Sequence, residues 1–187
     1  MKSEILNRLY ERNPDTGNYI VEISLDKYLD VFNDWDHASY RKRDMDPELA
    51  FFLEDCSMEI PLRHGLDLVF YLPRRAKDEE KETIIQSVVK SYYQFYANLE
   101  RKALQRGFRR ALNHVLVAAG LLSATYFLNL GQQNAFLSII SEGTTVGGWV
   151  FLWEAISFSF FRCSDDNDKI KAYQRLARAN IYFRYDA

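Results

Sequence analysis

Ala111–Leu130 reads ALNHVLVAAGLLSATYFLNL, and Thr145–Phe161 reads TVGGWVFLWEAISFSFF. These two stretches decide the fold class. A helix needs about 20 mainly apolar residues to cross a hydrocarbon core. The first stretch has that length, with its apolar centre at Val115–Ala119 and Leu121–Leu122. The second is shorter and carries a glutamate. From 111 to 161 the only acidic, basic or imidazole side chains are His114, Glu142 and Glu154. Asn113, Ser123, Thr125 and Asn129 dilute the first stretch. The rival expectation is a soluble bundle with two buried helices, but helices this uniformly apolar are unusual in so small a chain.

The flanking charge separates the two expectations. Arg101, Lys102, Arg106, Arg109 and Arg110 precede the first stretch. Arg162, Lys169, Lys171, Arg175, Arg178 and Arg184 follow the second. Gly131–Thr144, between them, holds no Lys or Arg. Positive residues stay on the cytoplasmic side of a bilayer. The sequence therefore predicts a two-helix transmembrane hairpin with spans 111–130 and 145–161, placed in the cytoplasmic (inner) membrane, with both termini cytoplasmic. Met1–Arg12 is charged and has no apolar run, so it does not read as a signal peptide. Tyr126, Trp149 and Trp153 add amphipathic rings.

The rest of the 187 residues reads as an α+β assembly. A small cytoplasmic α/β domain is expected over 1–77, and a long helical stalk over 78–110. The hairpin follows over 111–161, then a C-terminal helix and strand over 162–187. Tyr19–Leu25 alternates like a strand after the turn-rich Asn13–Asn18. Ser24 or Asp26 would cap a short helix carrying Tyr28, Leu29, Val31 and Phe32, and Asn33–Asp44 is polar and irregular. Asp46-Pro47 opens a helix over Glu48–Met58, with Asp as cap and Pro in the first turn. Its buried face would hold Leu49, Phe52, Leu53 and Cys56, and Ile60-Pro61 ends it. Leu66–Leu72 is a second strand closed by Pro73. Ile181–Tyr185 is a third, returning to the N-terminal sheet. Asp78–Arg110 has no proline, and Gly107 is its one weak position; the helix would continue into the first span. Asp165 or Asp166 would cap the last helix, to about Arg178.

Leu25-Asp26-Lys27-Tyr28-Leu29, Asp44-Met45-Asp46-Pro47-Glu48-Leu49, Glu59-Ile60-Pro61 and Leu68-Val69-Phe70-Tyr71-Leu72-Pro73 form a recognisable set. Ser141-Glu142-Gly143, Gly147-Gly148-Trp149 and Arg175-Leu176-Ala177-Arg178 belong with it. Together they resemble a bacterial family of two-span membrane proteins with a cytoplasmic α/β domain and no assigned activity. The resemblance implies that membrane topology and carries no active site with it.

Net charge is −2, so the chain as a whole has no nucleic-acid footprint. Cys56 and Cys163 are far apart and read as reduced thiols. No cofactor motif or metal-ligand spacing is present, and His37 and His64 stand alone. Asp34, Asp36, Asp44 and Asp46 do not fit a calcium loop.

Glu154 is the most informative polar residue, because an ionised carboxylate inside a bilayer is expensive. His114 on the neighbouring helix, and Arg110 one turn earlier, are its candidate partners. The set serves either as a proton or cation site or as a hydrogen bond fixing the hairpin. Gly120 and Ala124, Gly143 and Gly147, and Ala155 and Ser159 are small residues four apart, where helix backbones can approach closely. They would pack the hairpin, a homo-oligomer, or both. Ser141 and Glu142 read as the cap and first-turn acid of the second helix. Arg101, Lys102, Arg106, Arg109 and Arg110 set topology and would meet anionic lipid.

The expected role is a non-enzymatic, self-associating membrane scaffold or accessory subunit whose partners are the bilayer and either further copies or a membrane complex. The alternatives are an oligomeric channel or pore-forming effector lined by Asn113, Ser123, Thr125, Asn129, Thr144 and Thr145, with Glu154 at its gate, and a lipid-acting enzyme using His114 and Glu154 as acid and base.

Overall fold

The computed structural model describes residues 2–39, 42–129 and 135–186. The chain forms two compact units, Met1–Leu99 with Asp168–Ala187, and Glu100–Asn167.

The first unit is built on a three-stranded sheet. Strands β1 (Tyr19–Ser24), β2 (Leu66–Pro73) and β3 (Asn180–Asp186) lie in that order. Both pairings are parallel, with Val21 against Leu68 and Leu68 against Ile181. The third strand therefore joins the N-terminal sheet, as its aromatic alternation suggests. Parallel neighbours need crossovers, usually helical. Helix α2 (Pro47–Glu59) supplies the first. The second runs through α3 (Glu79–Asn129), α4 (Ala135–Ser157) and α5 (Cys163–Arg178), so the whole second unit is inserted in sequence between β2 and β3. A short α1 (Lys2–Leu9) precedes the sheet.

One sheet face carries the core. Tyr19, Val21 and Ile23 of β1, Leu66, Leu68, Phe70 and Leu72 of β2, and Ile181 of β3 are buried with Leu53 of α2, Ile85, Val89 and Tyr93 of α3, and Leu176 of α5. The opposite face carries a polar row, in which Tyr71 donates to Glu22 at 2.6 Å and Arg184 donates to the Tyr71 hydroxyl at 2.9 Å.

Local signals account for several boundaries. The Asp46 carboxylate accepts from the Glu48 and Leu49 amides at 2.9 and 3.0 Å, and Pro47 occupies the first turn of α2. On the expected buried face of α2, Leu53 and Cys56 are inside and Leu49 packs half-buried against the core, but Phe52 is exposed. Ala50 and Ser57 are inside as well. Tyr93 of α3 donates to the Ala50 carbonyl at 3.3 Å and Arg175 of α5 donates to the Ser57 hydroxyl at 3.0 Å, so these two helices cover the small residues of α2. The short helix Tyr28–Val31 is 3₁₀, and neither Ser24 nor Asp26 caps it. Instead Asp30 reaches back and accepts from the amides of Asp26 and Lys27 at 3.1 and 3.0 Å.

Asp67 organises the amino-terminal edge of the sheet. It is fully buried and accepts from Asn13 (2.6 Å), Thr16 (2.7 Å), Asn18 (2.8 Å) and Asn180 (2.9 Å). The Asn13–Asn18 turn, with Gly17 at φ 72°, and the start of β3 are thus tied to one carboxylate. A left-handed φ is ordinary for glycine and strained for other residues. Burial works against the Asp67 charge, but the four donors outweigh it and hold the carboxyl below its usual range.

Helix α3 runs unbroken through Gly107. Helix α4 begins at Ala135, ten residues before the expected start, so Ser141 and Glu142 lie inside the helix and the capping role assigned to them is overturned. The side-chain hydrogen bonds agree, since the Thr144 and Thr145 hydroxyls each donate back to a helical carbonyl four residues earlier, at 2.8 Å. Leu130, the last residue of the expected first span, and residues 131–134 of the expected linker lie outside the described residues. At its far end α4 does not stop and restart. It passes through a π turn, Phe158–Arg162, into α5, so neither Asp165 nor Asp166 caps a separate helix; both lie in the first turn of α5, which ends at Arg178 as expected.

Candidate functional site

Within the second unit, the C-terminal part of α3 packs on α4 through an unusual seam. A Cβ added at Gly148 would lie 2.9 Å from the Leu122 side chain and 3.5 Å from the Ala118 carbonyl oxygen. The His114 and Phe151 rings are 5.6 Å apart, and a Cβ at Gly107 would lie 2.5 Å from the Phe158 ring. Falling numbers on α3 meet rising numbers on α4, so the helices run antiparallel. The buried residues of this seam are small and seven apart, with Ala111 and Ala118 on one helix and Ser141, Gly148 and Ala155 on the other. A period of seven keeps one face turned to a partner helix, and small residues let the two backbones come close.

The large apolar side chains point the other way. Leu112, Leu116, Val117 and Phe127 of α3 are exposed, as are Phe136, Ile139, Val146, Trp149, Val150 and Trp153 of α4. Trp153 is 67% accessible and Val146 is 64%. A soluble protein buries its large hydrophobes and lets small residues fall where they will. Here the order is inverted. Exposed Leu, Val, Ile, Phe and Trp surround a seam of Ala, Gly and Ser, far beyond the scattered apolar residues normal on a soluble surface. The helical run Ala135–Arg178 is long and apolar enough to cross a bilayer. Among the described residues it is the one helix that meets that mark.

The expected site residues fall on both sides of this geometry. Ala155 is in the seam and Gly147 touches its edge, 3.8 Å from Leu121 as measured from an added Cβ. Gly120 and Gly143 face open space, and Ala124 and Ser159 are exposed. The spacing of four therefore does not describe the contact within the chain; the spacing of seven does. Gly148→Ile is expected to overpack this seam and lower the stability of the helix pair by about 1–3 kcal/mol. Ala119→Ile, at an exposed position of α3, should leave it unchanged. Thermal unfolding of both variants in neutral detergent checks the difference, and equal midpoints would disprove the seam.

Glu154 is exposed beside the seam, His114 is half-buried against Phe151, and Arg110 is exposed. Among the described residues no hydrogen bond or ion pair joins Glu154 to either one. Arg101, Lys102, Arg106, Arg109 and Arg110 are all exposed on α3. Thr125, Thr144 and Thr145 bond to their own helix backbones, as hydroxyls do in apolar surroundings. Among the described residues no three His, Cys, Asp or Glu side chains converge as metal ligands. Sequence reasoning missed the seam. Its signal was present in the spacing 111, 118 and 141, 148, 155, but it was masked by the more familiar spacing of four.

No family model matches the chain, and no curated protein or solved structure is significantly similar to it.

Proposed function

We propose that this chain is a non-enzymatic scaffold or accessory subunit anchored in the cytoplasmic membrane of a bacterium. Its second unit would cross the bilayer twice and hold the sheet-bearing unit on the cytoplasmic side. The observation that carries this reading is the inversion of side-chain size, with large apolar groups outward and Ala, Gly and Ser in the helix seam. Lipid tails accept the former without penalty, and close backbone packing rewards the latter. The basic residues on α3 and α5, set against a linker without any, support the orientation. Extraction of membranes with alkaline carbonate tests the anchor. The chain is expected in the pellet, released only by detergent; recovery in the soluble fraction without detergent would overturn the reading.

Self-association is part of the proposal. Gly120 and Gly143 leave open space on the outer surface of the helix pair, where a second copy can approach. The mass of the purified chain in detergent should correspond to a defined oligomer, and Gly120→Ile with Gly143→Ile should shift it toward monomer. A monomeric wild-type chain would remove this part.

The exposed Glu154 favours a second reading, an oligomeric channel. A carboxylate on an otherwise apolar surface needs water or a partner at membrane depth, and a pore between copies would supply water. Liposome conductance checks it. The reading predicts a cation current that Glu154→Gln reduces, and an unchanged current and selectivity would remove Glu154 from the role.

A further inference from the structure

A cleft of about 350 Å³ opens in the first unit between the loop entering β2 and the last turns of α5. Arg63 and His64 line it from the loop, Lys171, Arg175 and Arg178 from α5, and Asn18 from the turn before β1. Among the described residues no carboxylate lines it.

The charges in this cleft are poorly compensated. Arg175 is held by a fork of neutral acceptors. Its Nη1 donates to the carbonyls of Ile60 (3.0 Å), Pro61 (3.0 Å) and His64 (3.2 Å), and its Nη2 donates to the Ser57 hydroxyl at 3.0 Å and to the Ser57 carbonyl. The buried Nε has no hydrogen-bond partner. Lys171 has one acidic partner, Asp168 on its own helix, at 3.2 Å. Among the described residues Arg63 and Arg178 have no ion pair. The Arg63 Nε instead donates to His64 Nε2 at 3.1 Å. That bond needs an unprotonated ring nitrogen, and the surroundings agree. Burial first, then Arg63, Arg12 and Arg175, pull His64 below its usual range.

The cleft at the opposite end of the sheet shows what compensation looks like. It is lined by Lys27, Arg75, Lys77 and Lys81, but also by Asp78. Lys27 pairs with Asp30, Lys77 with Glu79 and Lys81 with Asp78. Helix-end electrostatics explain why Arg175 sits at the carboxyl end of α2 and Arg178 at that of α5, since cations are favoured there. They do not explain why Arg63, His64 and Lys171 converge on the same cleft.

We propose that this cleft binds a phosphate-bearing anion, either a small soluble phosphate ester or the phosphomonoester headgroup of a lipid. Its volume lies within the range of small-molecule sites. Guanidinium and ammonium groups around one opening match an anion that offers several acceptor oxygens, and guanidinium adds a planar fork. Arg175 commits its Nη hydrogens to protein acceptors and contributes fixed positive charge, so the donors left for an anion are those of Arg63, Lys171 and Arg178.

The full chain in neutral detergent is titrated with inorganic pyrophosphate while the imidazole signals are followed by NMR. The chain has three histidines, so His64 is assigned by its loss in His64→Asn. An anion in the cleft is expected to raise the His64 pKa saturably, with no such change at His37 or His114. Arg63 and Lys171 are both exposed, so Arg63→Gln with Lys171→Gln should fold normally and weaken binding by about tenfold or more. Binding to phosphatidylcholine vesicles with and without phosphatidic acid forms the second arm. Saturable pyrophosphate binding that the double variant weakens assigns a soluble ester. Binding that needs phosphatidic acid and is weakened by the same variant, without a response to pyrophosphate, assigns the lipid. No saturable response in either arm, or binding indifferent to the double variant, overturns the proposal. The soluble arm reads the cleft alone, so its result is independent of whether the second unit enters a bilayer.

Discussion

Val150→Arg is expected to abolish stable membrane insertion while leaving the first unit folded. Val150 is 62% accessible and lies near the middle of α4. On a protein facing water, an exposed valine replaced by arginine changes stability by only about 0.5 kcal/mol either way. At the centre of a membrane span the change is of a different order. Valine favours insertion by a few tenths of a kcal/mol and arginine opposes it by about 3 kcal/mol. The difference shifts an insertion equilibrium by more than about a hundredfold. The measurement is the fraction of chain that resists carbonate extraction, with Leu99→Arg as a control in the first unit, where Leu99 is also exposed. Loss of the resistant fraction in Val150→Arg alone supports the anchor. Equal behaviour of wild type and both variants would mean that the exposed apolar surface does not meet lipid.

Asp67→Ala should be the most destabilising single change in the first unit. The carboxylate is completely buried, and four side-chain donors from two separated segments, the Asn13–Asn18 turn and the start of β3, depend on it. Truncation leaves these donors without an acceptor, and each unsatisfied buried polar group costs about 1–3 kcal/mol. Some donors will find water, so a total loss of about 3–5 kcal/mol is expected. The same network sets an acid limit. The folded carboxyl sits below its unfolded value of about 3.9. Its contribution is therefore complete above that value and lost as pH falls through the lower folded value. Wild type should lose stability below about pH 4 more steeply than Asp67→Asn, which has no proton to gain at this position. Denaturation of the full chain, followed by near-UV circular dichroism across pH, checks both statements. A melting midpoint for Asp67→Ala close to wild type would show that the donors do not rely on the carboxylate.

Local elements were legible because their causes are local. Asp46 and Pro47 start α2 with groups two or three residues apart. Pro73 closes β2, and the alternation in Tyr19–Ser24 marks a half-buried strand. The absence of proline from 78 to 129 let one helix run through Gly107, because a single glycine weakens a helix by only about 1 kcal/mol. Lys and Arg flank 111–161 at both ends and are missing from 131–144, a pattern that the sequence shows by itself and that underlies the proposed bilayer orientation. The start of α4 was misplaced because Ser141 and Glu142 offer a good cap, while nothing in Ala135–Ile140 forbids helix. Capping residues state where a helix is able to start, and the apolar residues before them decide whether it already has.

Other features are settled by tertiary structure. On α4 apolar residues fall on every side of the helix, so periodicity names no inner face; only the approach of α3 selects Ser141, Gly148 and Ala155. On α2, contact with Tyr93 of α3 and Arg175 of α5 selects Ala50 and Ser57 over Phe52. The parallel strand order, the insertion of the second unit between β2 and β3, and the meeting of Asn13, Asn18, Asp67 and Asn180 all join residues far apart in the chain. Arg175 reaches backbone more than a hundred residues away, and Arg63, His64 and Lys171 share a cleft only after that clamp has formed. Hydrogen-bond reach, repulsion and packing depend on distance in space. Sequence carries that distance for neighbours within a few turns, and for the rest only the folded chain supplies it.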